Sequence, residues 1–152
     1  MKNYLFTCSV FLLVSVSVSA QKIIPVPKFK PPIVKTFLGI RSNGDTVLKE
    51  EAVQLVALPL KIEDAQKEKY KIYNYQFAYR KKSAVENEET GKIQTTYTMV
   101  AGRFDHSPLP EVWVKNLQTT LTSGEELYFF DIIVEDAKGR KFNAPEIKIY
   151  VK

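Results

Sequence analysis

Leu127-Tyr128-Phe129-Phe130-Asp131-Ile132-Ile133-Val134 is a run of β-branched and aromatic residues interrupted by one carboxylate, the composition of a β-strand. It has almost no polar alternation, so the expectation is a central strand packed on both sides. Before it, Trp113, Val114, Leu117 and Leu121 recur at three- and four-residue intervals. They share one face of a helix that begins near Pro110, a residue suited to a first turn, and Gly124 is expected to end it. After the strand, Asp136-Ala137-Lys138-Gly139-Arg140 supplies a turn with Gly139 at positive φ. Ile147, Ile149 and Val151 then alternate with Lys148, Tyr150 and Lys152 as a half-exposed strand. A helix with an apolar stripe must lie on an apolar sheet face. The fold class expected is therefore α+β: a predominantly antiparallel, sandwich-like β-sheet carrying one amphipathic helix near residues 110–121.

Upstream, Tyr70 to Arg80 has a clear period of two, with Tyr73, Tyr75, Phe77 and Tyr79 on one face and Asn74, Gln76 and Arg80 on the other. Two uses of that face are open. It could receive the Trp113 helix, the favoured reading because that stripe needs a partner, or it could bind a peptide or glycan through exposed tyrosines. Arg80-Lys81-Lys82 then leads to Glu86-Asn87-Glu88-Glu89-Thr90-Gly91 and a second strand, Ile93 to Phe104, expected to be wet on one side. The segment reads as a polar hairpin tip. Its charges are most simply a solvated loop; as a docking knob, the candidate partner-binding residues are Arg80, Lys81, Lys82, Glu86, Glu88 and Glu89. Nearer the start, Ser42-Asn43-Gly44-Asp45 is a turn, and Asp45 or Thr46 can cap a short helical turn through Glu50 and Glu51. Val53 to Leu60 is expected to be an apolar strand, and Ile62 to Lys69 a charged turn.

Residues 1–20 combine one cation, Lys2, an apolar stretch from Tyr4 to Val18, and the small-residue end Val18-Ser19-Ala20. That is the pattern of a secretory signal peptide, and the apolar stretch is too short for a comfortable transmembrane helix. The only cysteine, Cys8, lies inside that stretch rather than at its end, which excludes a lipoprotein reading. The mature chain would have no thiol, hence no disulfide, thiolate nucleophile or cysteine-held metal. Residues 21–35 contain four prolines and read as an extended tether, either a spacer or an arm that docks through Ile24 and Phe29. Residues 36–152 suit a single domain.

The formal charge of +5 is scattered, without the basic stripe interleaved with aromatics that marks a nucleic-acid protein. His106 is the only histidine, too few ligands for a histidine-based zinc site. No nucleophile elbow, phosphate-cradling glycine loop or His-Glu-x-x-His helix occurs. The expectation is a protein that is not an enzyme and uses no cofactor and no metal.

The order Pro-Glu, amphipathic helix, Ser123-Gly124-Glu125-Glu126-Leu127-Tyr128-Phe129-Phe130-Asp131-Ile132, Gly-containing turn, Ala144-Pro145-Glu146-Ile147-Lys148-Ile149 resembles the carboxy-terminal periplasmic domain of GldM, also called PorM, of the type IX secretion and gliding-motility machinery. Gly124, Glu125, Leu127, Tyr128, Phe129 and Ile132 stand at that domain's patterned positions. The likeness extends back through Gly44-Asp45-Thr46-Val47 and Lys69 to Phe77, covering roughly Pro31 to Lys152. It implies a stand-alone, noncatalytic envelope domain without catalytic or metal residues. The function expected is a protein-interaction module of the periplasm, cell surface or extracellular space, not membrane-spanning once the leader is removed, with an envelope protein as partner. A homodimer is compatible with exposed sheet edges. The alternative is a secreted recognition domain for a glycan or a protease that exposes its tyrosine face.

Overall fold

Burial alternates along nearly every strand, and this alternation sorts the chain into a sheet with one covered and one open face. The computed structural model describes residues 28–152, and Pro31 to Lys152 form one unit. Its elements are β1 (Val34–Leu38), β2 (Thr46–Val47), α1 (Lys49–Leu55), β3 (Leu60–Asp64), β4 (Lys71–Glu86), β5 (Ile93–Phe104), α2 (Glu111–Thr120), β6 (Glu126–Glu135), β7 (Lys141–Ala144) and β8 (Ile147–Val151). The main sheet runs β2-β8-β6-β4-β5, with β7 also paired to β6. All of its pairings are antiparallel except β2 with β8. β1 and β3 form a separate antiparallel pair. The α+β, antiparallel-dominated architecture expected from the sequence is the one observed.

On the covered face, Tyr75, Phe77 and Tyr79 of β4 are buried beside Leu127, Phe129, Ile132 and Val134 of β6 and Ile147, Ile149 and Val151 of β8. α2 lies against this face through Leu117 and Trp113. The indole meets Phe77 and Phe104 edge-on, with ring centroids 5.7 and 5.4 Å away, a geometry that sets the positive rim of one ring against the π face of another. Phe77 and Phe129 are closer still, at 4.7 Å. Gly102 makes the approach possible, since a Cβ there would sit 2.9 Å from the Phe104 ring and 3.1 Å from Trp113. The favoured use of the aromatic face, as the seat of the Trp113 helix, thus holds for Tyr75, Phe77 and Tyr79. Tyr73 departs from it and is exposed. Two register irregularities, between Ile72 and Asn74 and between Asn74 and Gln76, put it out of phase.

The β6 stretch is not packed on both sides. Leu127 and Phe129 are buried, then Ile132 and Val134, while Tyr128, Phe130 and Ile133 line the outer face. Asp131, at φ 47, shifts the alternation by one residue, and its carboxylate accepts a hydrogen bond from Gln76 Nε2 at 2.5 Å. On the open face Tyr128 and Phe130 stack with centroids 4.7 Å apart, so apolar area there is shared between rings rather than covered by a second layer.

Other expectations are corrected. Val53 to Leu55 belong to α1, whose Ala52 and Leu55 are buried at helical spacing, and the strand starts only at Leu60. Neither Asp45 nor Thr46 caps α1. Leu48 holds that position with no side-chain bond, and Asp45 instead closes the preceding turn by accepting from Ser42 N at 3.0 Å. α2 ends at Thr120, and Gly124, at φ 89, donates its N–H to Val151 O at 2.8 Å, so it shapes the entry to β6 rather than the helix end. Val34 and Lys35, expected in the tether, open β1 and pair with Asp64 and Glu63. At the other end, Lys152 donates to Val47 O at 2.9 Å and accepts from Lys49 N, which ties the end of β8 to β2. The expected leader, and the tether up to residue 27, lie outside the described residues.

Candidate interaction surface

β4 and β5 pair without a register shift over twelve rungs, from Tyr75 with Phe104 to Glu86 with Ile93. β6 accompanies β4 only as far as Arg80, opposite Glu126. Past that rung the two strands continue as a ribbon with no third strand beside them. Burial follows: Ile93 to Ala101 are all exposed, on both faces of β5, although one wet face was expected. Val85, Ile93, Tyr97, Met99 and Val100 present apolar area to solvent there, and Ile93 retains 75% of its surface.

The six charged residues singled out from the sequence do not form one cluster at a hairpin tip. Arg80, Lys81 and Lys82 lie within β4, where the ribbon leaves the sheet. Arg80 Nη1 meets Glu126 Oε1 at 2.6 Å, and its guanidinium stacks over the Tyr97 ring at 3.9 Å, joining three strands. The Lys82 stem passes over Gly124. Glu86 closes the last rung, six residues or about 20 Å of strand beyond Arg80. Glu88 and Glu89 belong to the turn. That turn is built by Asn87, whose Oδ1 accepts from Glu89 N, Thr90 N and the Thr90 hydroxyl at 3.0, 2.9 and 3.1 Å, with Gly91 at φ 64. The ribbon is therefore basic at its root and acidic at its tip.

A residue that the sequence marked only as one position of the GldM-like pattern, with no role of its own, fixes the root. Glu125 is 1% exposed. Its carboxylate accepts from the Tyr79 hydroxyl, from Lys82 N at 2.9 Å and from Thr122 N at 2.6 Å. A buried carboxylate needs such donors, and these three come from β4 and from the chain before β6. Burial, and then the Glu125 carboxylate, hold the Tyr79 hydroxyl well above its ordinary pKa. In the sequence Glu125 looks like the first of two surface acids; only the run of core residues after it hints that it stands at the mouth of a core strand.

β5 is also the outermost strand of the main sheet. Its ten residues from Ile93 to Gly102 contain no charge and no proline, a signal visible in the sequence. Natural sheets usually guard long edges with lysine, proline, a bulge or brevity. The opposite edge, β2, is two residues long. Beside β5, Val100, Val112, Trp113 and Asn116 line a shallow apolar groove of about 220 Å³.

Elsewhere, His106 Nδ1 lies 2.7 Å from Asp105 Oδ1 in an exposed loop, and this hydrogen bond holds the Asp105 carboxyl below its ordinary range. A wide cleft of about 610 Å³ runs past Lys71, Tyr73, Asn74, Arg103 and Asp105. Among the described residues no group of three or more histidine, cysteine, aspartate or glutamate side chains could hold a metal ion, and no helix is long and apolar enough to cross a membrane. Against known proteins, no protein-family model matches this chain and no curated protein matches its sequence.

Proposed function

We propose that the chain is a noncatalytic protein-interaction module of the cell envelope, acting in the periplasm or at the cell surface, and that it meets its partner through the β4–β5 ribbon. The observation that carries this reading is the ribbon itself, a regular pair of strands held out from the sheet with apolar side chains on both faces. Apolar area kept in water along a well-formed element is characteristic of an interaction site. The sequence resemblance to the GldM carboxy-terminal domain supports the envelope setting and makes components of type IX secretion or gliding the partners to look for. The alternative of a glycan- or protease-binding tyrosine face needs Tyr73, Tyr75 and Tyr79 at the surface, and two of these are in the core.

The test is an affinity capture from envelope extracts. It compares the native chain with a variant carrying Lys81→Glu, Ile93→Ser and Glu89→Lys, which leaves the Arg80–Glu126 pair intact. Recovery of secretion or gliding components by the native chain, and their loss with the variant, is the expected result. Equal recovery by both would remove the ribbon from the contact, and recovery of no envelope protein by either would remove the reading.

A further inference from the structure

We infer that the open edge of β5 pairs with β5 of a second copy of this chain, antiparallel, about a two-fold axis near Thr98, which joins two sheets into one. This rests on the ribbon being a contact surface and names what covers its edge.

Every second residue of β5 turns its N–H and C=O away from β4, so the edge offers donors and acceptors from about six residues in an unbroken row. Only a strand satisfies such a row. Which strand fits is decided by charge. A two-fold axis at Thr98 sets each residue n of one copy opposite residue 196 − n of the other, so the uncharged stretch from Gln94 to Gly102 covers itself and Ile93, just outside it, faces Arg103. Phe104, buried against Trp113 of α2, fixes the two faces of β5, with Val100 and Gly102 on its side and Tyr97, Met99 and Arg103 on the open side. The axis keeps these faces aligned, and places Tyr97 of each copy opposite Met99 of the other, a ring-to-sulfur contact made twice.

The polarity of the ribbon agrees with this arrangement. Arg103 has no ion-pair partner among the described residues. In the pair, it and Glu86 of the other copy flank Ile93 on the open face. Their backbones are two strand spacings, about 10 Å, apart, within reach of the two long side chains. The like charges, Lys81 and its counterpart, stand three spacings or about 14 Å apart, beyond the screening length of roughly 8 Å at physiological salt. A parallel pairing would instead stack acidic tip on acidic tip.

The experiment measures the mass of the full chain in solution by sedimentation, and compares it with the Tyr97→Lys/Met99→Lys double variant. Both positions are exposed, so the variant should keep its circular dichroism, with a melting temperature lowered only by loss of the pair and of the Arg80 stack on Tyr97. The expected result is a mass twice that of a single chain, halved in the variant. A second measurement does not depend on the lysine variant folding. In a Cys8→Ser background, Thr98→Cys should form a disulfide-linked dimer on oxidation, because antiparallel partners lie within disulfide range, whereas Lys138→Cys should not. A monomeric native chain, a dimer indifferent to both lysines, or no cross-link at Thr98 would overturn the inference. If the native chain is monomeric but the lysine variant loses a captured envelope protein, the edge takes a foreign strand and the ribbon reading survives. If it is monomeric and capture is unaffected, both fall.

Discussion

One hairpin contains two kinds of β-structure. At its root, Tyr75, Phe77 and Tyr79 of β4 and Phe104 of β5 are buried, β6 lies beside β4, and Trp113 of α2 packs on Phe77 and Phe104. Beyond Arg80, the same two strands keep the same register but have lost the third strand and the helix. An isolated two-stranded hairpin is marginal in water. The outer half persists because its root is anchored, its turn is tied by Asn87, and threonine and tyrosine favour extended backbone. Regular backbone thus extends past the core that stabilises it, and the two halves should respond differently to change.

The largest difference is expected from Phe77→Ala. It removes a ring that touches both Phe129 and Trp113, and should cost about 3–5 kcal/mol in chemical denaturation. A loss below about 1 kcal/mol would mean that the root is less well packed than its ring contacts indicate. Next is Glu125→Ala, which strands the Tyr79 hydroxyl and the Lys82 and Thr122 amides. About 2–3 kcal/mol should be lost, and amide exchange at Lys82 should quicken while that at Thr95 is unchanged.

A graded effect comes from pH. The Tyr75 hydroxyl is buried, and burial pushes its pKa from 10.0 up to about 12 against a smaller opposing pull from the Ser107 side chain. Because the folded value lies above the unfolded one, its contribution to stability is complete below pH 10 and is lost as pH rises from about 10 to about 12. Denaturation midpoints should fall across that window, and fall less in Tyr75→Phe. The smallest effect belongs to the arm: Val85→Ser and Ile93→Ser should each change stability by less than about 0.5 kcal/mol. A larger change under conditions where the chain is monomeric would show that the arm packs on something within its own chain.

Reading the sequence forward explains where this contrast could be anticipated. Periodic apolar residues placed α2, β8 and the buried tyrosines of β4, because each needs only local spacing and a partner face. The same reasoning misjudged Val53 to Leu55, where three residues fit a strand as well as the last turn of α1. It also misjudged β6, whose Asp131 shifts the alternation so that no single period fits the run. The extent of the ribbon was hidden for a different reason: how far β6 accompanies β4 depends on pairing between segments about fifty residues apart in sequence, not on either segment alone. Of the six candidate contact residues, the sequence placed all on one hairpin but could not separate basic root from acidic tip. Glu125 was concealed because its role depends on donors from other strands.

The tie between Lys152 and β2 has a practical side. The last residue sits beside the sheet's short edge, while the arm rises from the long one, with β6 and β4 between. A cargo, label or immobilising handle joined at Lys152 would leave from about 14 Å away across the strands. Tyr150, Glu126, Arg80 and Met99 share one rung, so Lys152 lies level with the first residues of the arm, and a bulky support coupled there would stand beside the arm and restrict what reaches it.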